Sequence, residues 1–468
     1  MSDVTEISAT CAAGMASREL ERALMGGTNE MRARGEKFTP RYDGEDVESY
    51  KTRLNCTFLF NAFAEAVRSS AGKVLSRDVI LNADVPSQIV DLAPNIDGQG
   101  RNLTAFALDT FVDAMSDGLS FIFVDFTEVK PKTDEAGNPI LDANGQPVKP
   151  LLSDQIAQNA RPYAILYKAD QIIGFKHANI EGFEQLTQIR IHEIVTEPSG
   201  DWGEVQIEQI RVLNRGSFEL WRKDSKDDWI LFKAGTTSLQ YIPIVPFYTH
   251  RTGFMTGTPP LKSLAELNLE HWISSSDQRK ALTFARFAMM VFTGVQSGAI
   301  AKVGPDVVVE LAEPNAKWGK IESSGSGIAD GRLDLEALEN KMQHAGMTIN
   351  IQDAQGNITA MAAAINSDDV NAPLLALAGA LEDTLDQMLQ IFADYLGLPD
   401  GGSATVNKQF GRRKSTATVQ DLTLLYSNGI LDGDTILSEL QKRGDLSEDL
   451  DLEEIARRIR ETPPNLLG

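Results

Sequence analysis

Residues 259–290 read PPLKSLAELNLEHWISSSDQRKALTFARFAMM, and this stretch indicates the fold more strongly than any other. Its two prolines are favoured in the first turn of a helix, and a helix is predicted over residues 261–290. Both ends are apolar, but residues 274–280 contain no apolar side chain. Such a helix is about 45 Å long at 1.5 Å per residue. It is either a surface helix with two buried ends or a helix that crosses a water-filled gap between two layers of an assembly.

Strands are predicted on both sides of this helix. Residues 119–126 have the apolar composition of a buried strand, and residues 160–250 hold short apolar segments separated by Gly, Asp and Ser, which is typical of an antiparallel sheet. Downstream, strands at 291–295, 307–311 and 317–322 precede a second helix at 333–347, and the glycine-rich residues 325–331 are expected to form a flexible turn. The sequence therefore predicts an α+β protein with strands inserted between two helices.

Further helices are predicted towards both ends of the chain. Residues 50–74 and 103–115 have apolar side chains at helical spacing. The first forty residues combine a short helical pattern with glycines and many charges, which predicts a loosely held N-terminal arm. The last sixty residues are predicted to form a separate unit with helices at 415–426, 434–443 and 448–461, the second of them capped by Asp434.

The most regular helical pattern lies at residues 374–395. Apolar residues follow one another at alternating spacings of four and three, with Pro373 at the predicted start and Gly397 at the end. They are Leu374, Ala378, Leu381, Leu385, Met388, Phe392 and Tyr395. Three heptads fit a core helix or a short coiled coil, and the core helix is preferred. The stretch before it, residues 351–366, is small and polar and has no Lys or Arg.

Composition excludes several functional classes. The 468 residues include 44 Lys and Arg against 66 Asp and Glu, a net charge of −22, which argues against a protein that grips a DNA groove with a basic face. No apolar run is long enough to span a membrane and no signal peptide is recognisable, so we expect a soluble protein made in a cytoplasm. The two cysteines form no metal motif and no disulfide framework.

Catalytic motifs are absent from the sequence. His192 and Glu193 begin an HExxH-like pattern, but Thr196 stands where its second histidine would be. Residues 325–331 lack the lysine of a phosphate-binding loop, and no nucleophile elbow occurs. We therefore expect neither an enzyme nor a bound cofactor or metal.

Several stretches together resemble a portal protein (head-to-tail connector) of tailed bacteriophages, from a little-characterised portal family often labelled only as of unknown function. They are 41–46 (RYDGED) with Tyr50, Arg53 and Leu54, then 265–277 (AELNLEHWISSSD), 291–295 (VFTGV), 303–306 (VGPD), Trp318 with Glu322, Gly325 and Gly327, 338–342 (LENKM) with Gly346, and 395–397 (YLG). The resemblance spans most of residues 40–400, and it rests on the order and spacing of the stretches.

The resemblance implies a ring, usually of twelve copies, at one vertex of a phage capsid in the virion. Such a ring docks the separate terminase, conducts double-stranded DNA during packaging and ejection, and later holds the head–tail adaptor. The implied regions are an N-terminal arm (1–40), a wing (41–258), a stem helix (259–290), a clip (291–331), a second stem helix (332–350), a tunnel loop (351–368), a long wing helix (369–400) and a crown (401–468).

In that arrangement a few polar residues would face the DNA. Arg279, Lys280 and Lys341 in the stem are candidates to meet phosphates, although each fits a solvated helix face equally well. The tunnel loop would contribute Gln352, Asp353, Gln355 and Asn357. The alternatives that stay open are another phage structural protein, such as a head–tail adaptor or capsid component, and a hydrolase with an acidic site.

Overall fold

The computed structural model describes residues 3–129, 158, 160–224, 226–286, 289–293, 317–321, 326–350, 360–408, 419–428, 430–442, 446, 454–455 and 457–458. The chain divides into two compact units. One unit comprises Met1–Asp353 and Ala372–Lys408, and the other comprises Ala354–Asn371 and Gln409–Gly468. Helices and strands are mixed along the chain, which confirms the predicted α+β class.

The helices of four or more residues in these ranges are α1 (Ala9–Ser17), α2 (Glu19–Ala33), α3 (Val47–Cys56), α4 (Ala62–Val74), α5 (Ser87–Val90), α6 (Leu103–Asp117), α7 (Lys262–Arg286), α8 (Ser326–Asn350), α9 (Ala360–Leu396), α10 (Val419–Ser427) and α11 (Gly433–Lys442). The strands are β1 (Ile80–Leu81), β2 (Leu119–Phe126), β3 (Pro162–Lys168), β4 (Ile172–Ile180), β5 (Phe183–Ser199), β6 (Gly203–Asn214), β7 (Ser217–Lys223), β8 (Trp229–Thr236), β9 (Ile244–Tyr248), β10 (Arg251–Gly253), β11 (Thr256–Gly257), β12 (Met289–Thr293), β13 (Lys317–Ile321) and β14 (Ala404–Thr405).

Two antiparallel sheets organise the first unit. Strand β2 lies at the centre of a three-stranded sheet in the order β3-β2-β9, and Phe123 is opposite both Ile165 and Ile244. Strands β4 to β8 form a five-stranded meander in sequence order. A buried apolar cluster joins the two sheets through Phe121, Ile189 and other residues of β2 to β6. Strand β4 lies in the region predicted to form this sheet, although its second half is exposed and lacks an apolar alternation.

Helix α6 and strand β2 lie close to the positions predicted from the sequence. Asn102 caps α6 by accepting a hydrogen bond from the Ala105 amide at 2.8 Å. Gly118 ends the helix in the left-handed conformation at φ 86°. A Cβ there would also lie 2.3 Å from the backbone of Thr258, so only glycine fits between helix and strand.

The N-terminal part of the chain differs from the prediction. The first forty residues are not a loose arm, because α2 buries Leu24 and Met31 completely. The single helix expected over residues 50–74 is two helices, since Asn61 accepts a hydrogen bond from the Ala64 amide and starts α4 anew. The apolar pattern crosses this break because Phe58 continues it, yet the Phe58 side chain is exposed.

Helices α8 and α9 begin earlier than predicted. The glycine-rich stretch is not a free turn, because α8 already starts at Ser326. Of the expected tunnel loop, residues 351–359 lie outside the described residues, and helix α9 begins at Ala360. Pro373 therefore lies inside a helix instead of at its start. It removes one backbone hydrogen bond, and the apolar seam that follows it stabilises the helix.

That seam confirms the heptad prediction. The six residues from Leu374 to Phe392 in the series are all fully buried within the first unit. Helices α10 and α11 confirm two of the three helices predicted near the C-terminus. The cap of α11 is Asp432 and not Asp434, because Asp432 accepts a hydrogen bond from the Thr435 amide at 3.2 Å. Most of residues 448–461, and the strand expected at 307–311, lie outside the described residues.

Candidate functional site

Helix α7 presents a face of polar groups to the N-terminal segment, residues 38–63. The Trp272 side chain is fully buried and donates a hydrogen bond to the Thr39 hydroxyl at 2.7 Å. The buried amide of Asn268 accepts from the Phe63 backbone at 3.0 Å and donates to the Phe60 carbonyl at 2.8 Å. The polar residues of this helix are thus placed by specific partners.

A network of charged side chains continues this contact at the middle of α7. We call it the clasp, and its members are Tyr42, Glu45, Arg53, Ser276, Asp277 and Lys280. The Arg53 guanidinium donates to both carboxylate oxygens of Glu45, at 3.1 and 2.9 Å, and to the Ser276 hydroxyl at 3.2 Å. The Lys280 ammonium lies 2.7 Å from the same carboxylate. The clasp therefore ties the N-terminal segment to the polar middle of the helix.

Burial makes the clasp energetically important. Only 4% of the Arg53 side chain and 2% of the Glu45 side chain are exposed. A buried charge costs several kcal/mol unless it is paired, so each member depends on the others. The hydrogen bonds from Arg53 are the main reason why the pKa of Glu45 falls from 4.5 to about 2. Glu45 is therefore ionised throughout the neutral range.

An aromatic ring closes the clasp on its exposed side. The Tyr42 hydroxyl donates to the Asp277 carboxylate, and its ring lies beneath Arg53 at 4.2 Å and beside Lys280 at 4.4 Å. Burial and the neighbouring carboxylate raise the pKa of Tyr42 above its ordinary value. The phenol therefore stays protonated and keeps its role as a donor.

Helices α7 and α8 pack as an antiparallel pair. His271 Nε2 lies 3.3 Å from a Glu339 oxygen, and Gln278 donates to the Ile328 carbonyl at 2.7 Å. Residues later in α7 thus meet residues earlier in α8. Leu338 and Met342 of α8 are buried. Strands β12 and β13 pair with each other in the segment between the two helices.

The predicted channel residues fall into three groups. Lys280 is a member of the clasp, so its charge is paired within the subunit. Arg279 and Lys341 are exposed, and the Arg279 guanidinium lies 5.5 Å from the ring centre of Phe58. Four tunnel-loop residues lie outside the described residues, and they are Gln352, Asp353, Gln355 and Asn357.

Sequence reasoning missed the pairing of Arg53 with Glu45 and Ser276. Both halves of the clasp lie in stretches that carry the family resemblance, 41–54 and 265–277, or next to them. Two features of the sequence were visible, namely the polar residues 274–280 inside a predicted helix and the charged residues 41–54. Nothing in the spacing of either stretch identifies the other as its partner.

A second buried charged cluster lies in the sheets. Glu193 accepts hydrogen bonds from Tyr167, from Gln209 at 2.6 Å and from Arg211 at 2.7 Å, and Arg211 also reaches Asp125 at 3.3 Å. Burial raises the pKa of Asp125. Asp125 and Arg211 also line a cavity of about 720 Å³. Because these charges satisfy one another, the cluster is suited to holding the two sheets together.

The described residues contain no group of three or more His, Cys, Asp or Glu side chains placed to hold a metal ion. Within the same ranges, no helix combines the length and the apolar character that crossing a membrane requires.

Comparisons with known proteins give one family model and several solved structures. Residues 260–396 match the family described as "Domain of unknown function (DUF4055)". No curated protein matches the chain. One similar structure is a chain from the neck of an empty gene transfer agent (GTA) particle computed with C6 symmetry. It is 11% identical, with a TM-score of 0.40 over 80% of this chain and 88% of that chain.

Two further similar chains come from the virion of the native GTA particle and from the neck of the native particle computed with C12 symmetry. Each is 12% identical, with a TM-score of 0.40 over 82% of this chain and 89% of that chain. Two of these three structures are described as particle necks.

Proposed function

We propose that this protein is the subunit of a portal-type ring, a structural component of a phage virion that conducts double-stranded DNA. The observation that carries the proposal is the antiparallel pair of α7 and α8 with the paired strands β12 and β13 inserted between them in the chain. This is the order of stem, clip and second stem that the sequence resemblance implies. In this proposal the preceding sheets form the wing and the C-terminal helices form the crown.

The clasp supports this role mechanically. A stem has to keep its position while DNA moves past it, and the buried Arg53–Glu45 pair fixes the middle of α7 against the N-terminal segment. Buried networks of this kind specify one arrangement of two elements when every member is partnered. The N-terminal segment is thereby assigned a structural role in the stem.

The charge of the helix pair also fits a conduit. Helices α7 and α8 together contain six basic and seven acidic residues, a net charge of −1 out of −22 for the chain. A surface without excess positive charge gains little from releasing DNA counterions, so DNA would not be held in place. We propose that Lys341, together with Gln352, Asp353, Gln355 and Asn357, faces the channel, whereas Lys280 serves the clasp.

The proposed partners follow from the ring. A terminase would dock on it during packaging, and a head–tail adaptor and the capsid would contact it in the virion. Catalysis forms no part of this function, since the ATPase would belong to the terminase.

Electron microscopy of the purified protein tests the proposal. We expect rings of twelve copies, each with a central hole wide enough for a DNA duplex. Mass photometry of the same sample should give a mass about twelve times the subunit mass of 51.2 kDa. Compact monomers in both measurements at high protein concentration would refute the ring and the conduit together.

A further inference from the structure

A basic aromatic patch lies beside the clasp. Phe58 is 56% exposed, and its ring has the Arg32 guanidinium at 4.8 Å and the Arg279 guanidinium at 5.5 Å from its centre. Arg32 is held in this place because it donates two hydrogen bonds to the Thr57 carbonyl, at 3.2 and 2.7 Å. We call Arg32, Phe58 and Arg279 the basic patch.

The carboxylates near the basic patch already have other partners. Glu30 pairs with Arg34 at 2.6 Å, and Glu45 pairs with Arg53 and Lys280 in the clasp. In the part of the chain that the structure describes, neither Arg32 nor Arg279 lies within ion-pair distance of a carboxylate. Among the described residues, two guanidinium groups around an exposed ring thus lack an acidic partner, and an acidic, partly apolar surface would complement them.

Helix α8 carries a surface of that kind. Leu333 is 57% exposed and lies between two exposed carboxylates, Asp330 and Asp334. The intervening Arg332 pairs instead with Glu336 at 3.5 Å. Among the described residues, no cation lies within ion-pair distance of either aspartate. We call Asp330, Leu333 and Asp334 the acidic patch.

The two patches lie at the same level of the helix pair but cannot meet within one subunit. Gln278, next to Arg279, donates a hydrogen bond to the Ile328 carbonyl at 2.7 Å. The acidic patch follows Ile328 by two to six residues, so it lies within roughly 9 Å of Ile328 along the helix axis. On α8, however, Leu333 is about 120–140° around the helix from the α7 contacts at Ile328 and Glu339. Its side chain therefore points away from α7.

We infer that the basic patch of one subunit binds the acidic patch of a second copy of the chain. The contact is heterologous, because each copy uses a different surface on its two sides, and such contacts generate rings when the rotation closes. Matching levels along the stem allow neighbouring copies to stand side by side without an axial shift. Phe58 packs on Leu333 while Arg32 and Arg279 pair with Asp330 and Asp334. This inference rests on the proposed ring and names its lateral contact.

Charge reversal with rescue tests the contact. Arg279→Glu places a carboxylate against the acidic patch, so the protein concentration that gives half assembly should rise about tenfold or more. The double variant Arg279→Glu, Asp334→Arg restores an opposite-charge pair in every interface and should recover assembly. Lys51→Glu, at an exposed site of α3, is the matched control and should assemble like the parent. Circular dichroism verifies that each variant is folded.

Cross-linking tests the same contact without relying on charge. Cys56 is exposed and lies two residues before Phe58, so Leu333→Cys with a short bismaleimide should join neighbouring subunits into a covalent ladder. The ladder should be absent when Cys56→Ser is added. It should also be absent when the new cysteine is placed at Phe183, which is 72% exposed on β5.

The outcomes separate this inference from the proposed function. Rings that assemble normally with Arg279→Glu and give no ladder with Leu333→Cys would overturn the contact and leave the conduit intact. Normal rings combined with weakened DNA binding in Arg279→Glu would also overturn it, since the basic patch would then face DNA. A parent protein that forms neither rings nor a ladder would refute both proposals.

Discussion

Replacing Arg53 by methionine should destabilise the protein more than removing any exposed charge. The substitution keeps most of the side-chain volume but removes two hydrogen bonds to Glu45, one to Ser276 and one to the Pro40 carbonyl. Removing one partner of a buried pair costs about 3–5 kcal/mol, because the other charge remains buried. Lys280 still pairs with Glu45, so the lower end, about 3 kcal/mol, is expected.

Lowering the pH should reduce the difference in free energy of unfolding between the parent and Arg53→Met. The folded protein holds the pKa of Glu45 at about 2, against an ordinary value of 4.5, mainly through the hydrogen bonds from Arg53. A lowered pKa contributes stability that is complete above about pH 4.5 and is lost as the pH falls towards 2. The parent and Arg53→Met should therefore differ most at neutral pH and converge over that interval.

Urea unfolding followed by tryptophan fluorescence measures the effect, since Trp272 is buried directly beside the clasp. Lys51→Met is the matched control. Its pair with Glu48 is exposed, with side-chain exposures of 60% and 82%, and such pairs contribute at most about 1 kcal/mol. If Arg53→Met shifts the unfolding midpoint no more than Lys51→Met at pH 7, the clasp does not stabilise α7 and the reasoning is refuted.

Two further predictions concern the first unit. Leu385→Ala, in the fully buried seam of α9, should lower the free energy of unfolding by about 2–5 kcal/mol, whereas Leu375→Ala, at a site 37% exposed, should cost much less in the same urea titration. Burial raises the pKa of Asp113 to about 6, so ionising this carboxyl group destabilises the folded protein. The destabilisation is absent below about pH 4 and complete above about pH 6. Asp113→Asn should accordingly raise the melting temperature at pH 7 but not at pH 4, and an equal rise at both values would contradict the assignment.

The sequence predicted correctly those elements that are determined by residues close to one another in the chain. The heptad series from Leu374 to Phe392 identified a core helix because burial of one helix face requires that spacing. Gly118 marked the end of α6 because a C-terminal cap depends on neighbouring residues only. In contrast, Phe58 misled the prediction, since an apolar residue in a linker looks like the continuation of a helix.

The clasp was beyond sequence reasoning for a different reason. Arg53 and Ser276 are separated by 223 positions, and the burial that gives their hydrogen bond its importance exists only after folding. The polar middle of α7 was expected to face water or a channel. Ser276, Asp277 and Lys280 of this middle instead contact side chains in residues 42–53. A polar stretch in a helix can therefore indicate polar partners as well as solvent.

The distribution of charge connects ring assembly with DNA passage. Helices α7 and α8 together carry a net charge of only −1, so the excess of acid in the chain lies elsewhere. Arg279 is an exposed cation of α7 and would attract phosphates in an isolated subunit. When the basic patch binds the acidic patch of a neighbour, that cation is neutralised by Asp330 and Asp334. Closing the ring would thus neutralise Arg279, and an assembled conduit would bind DNA less tightly than its free subunits do.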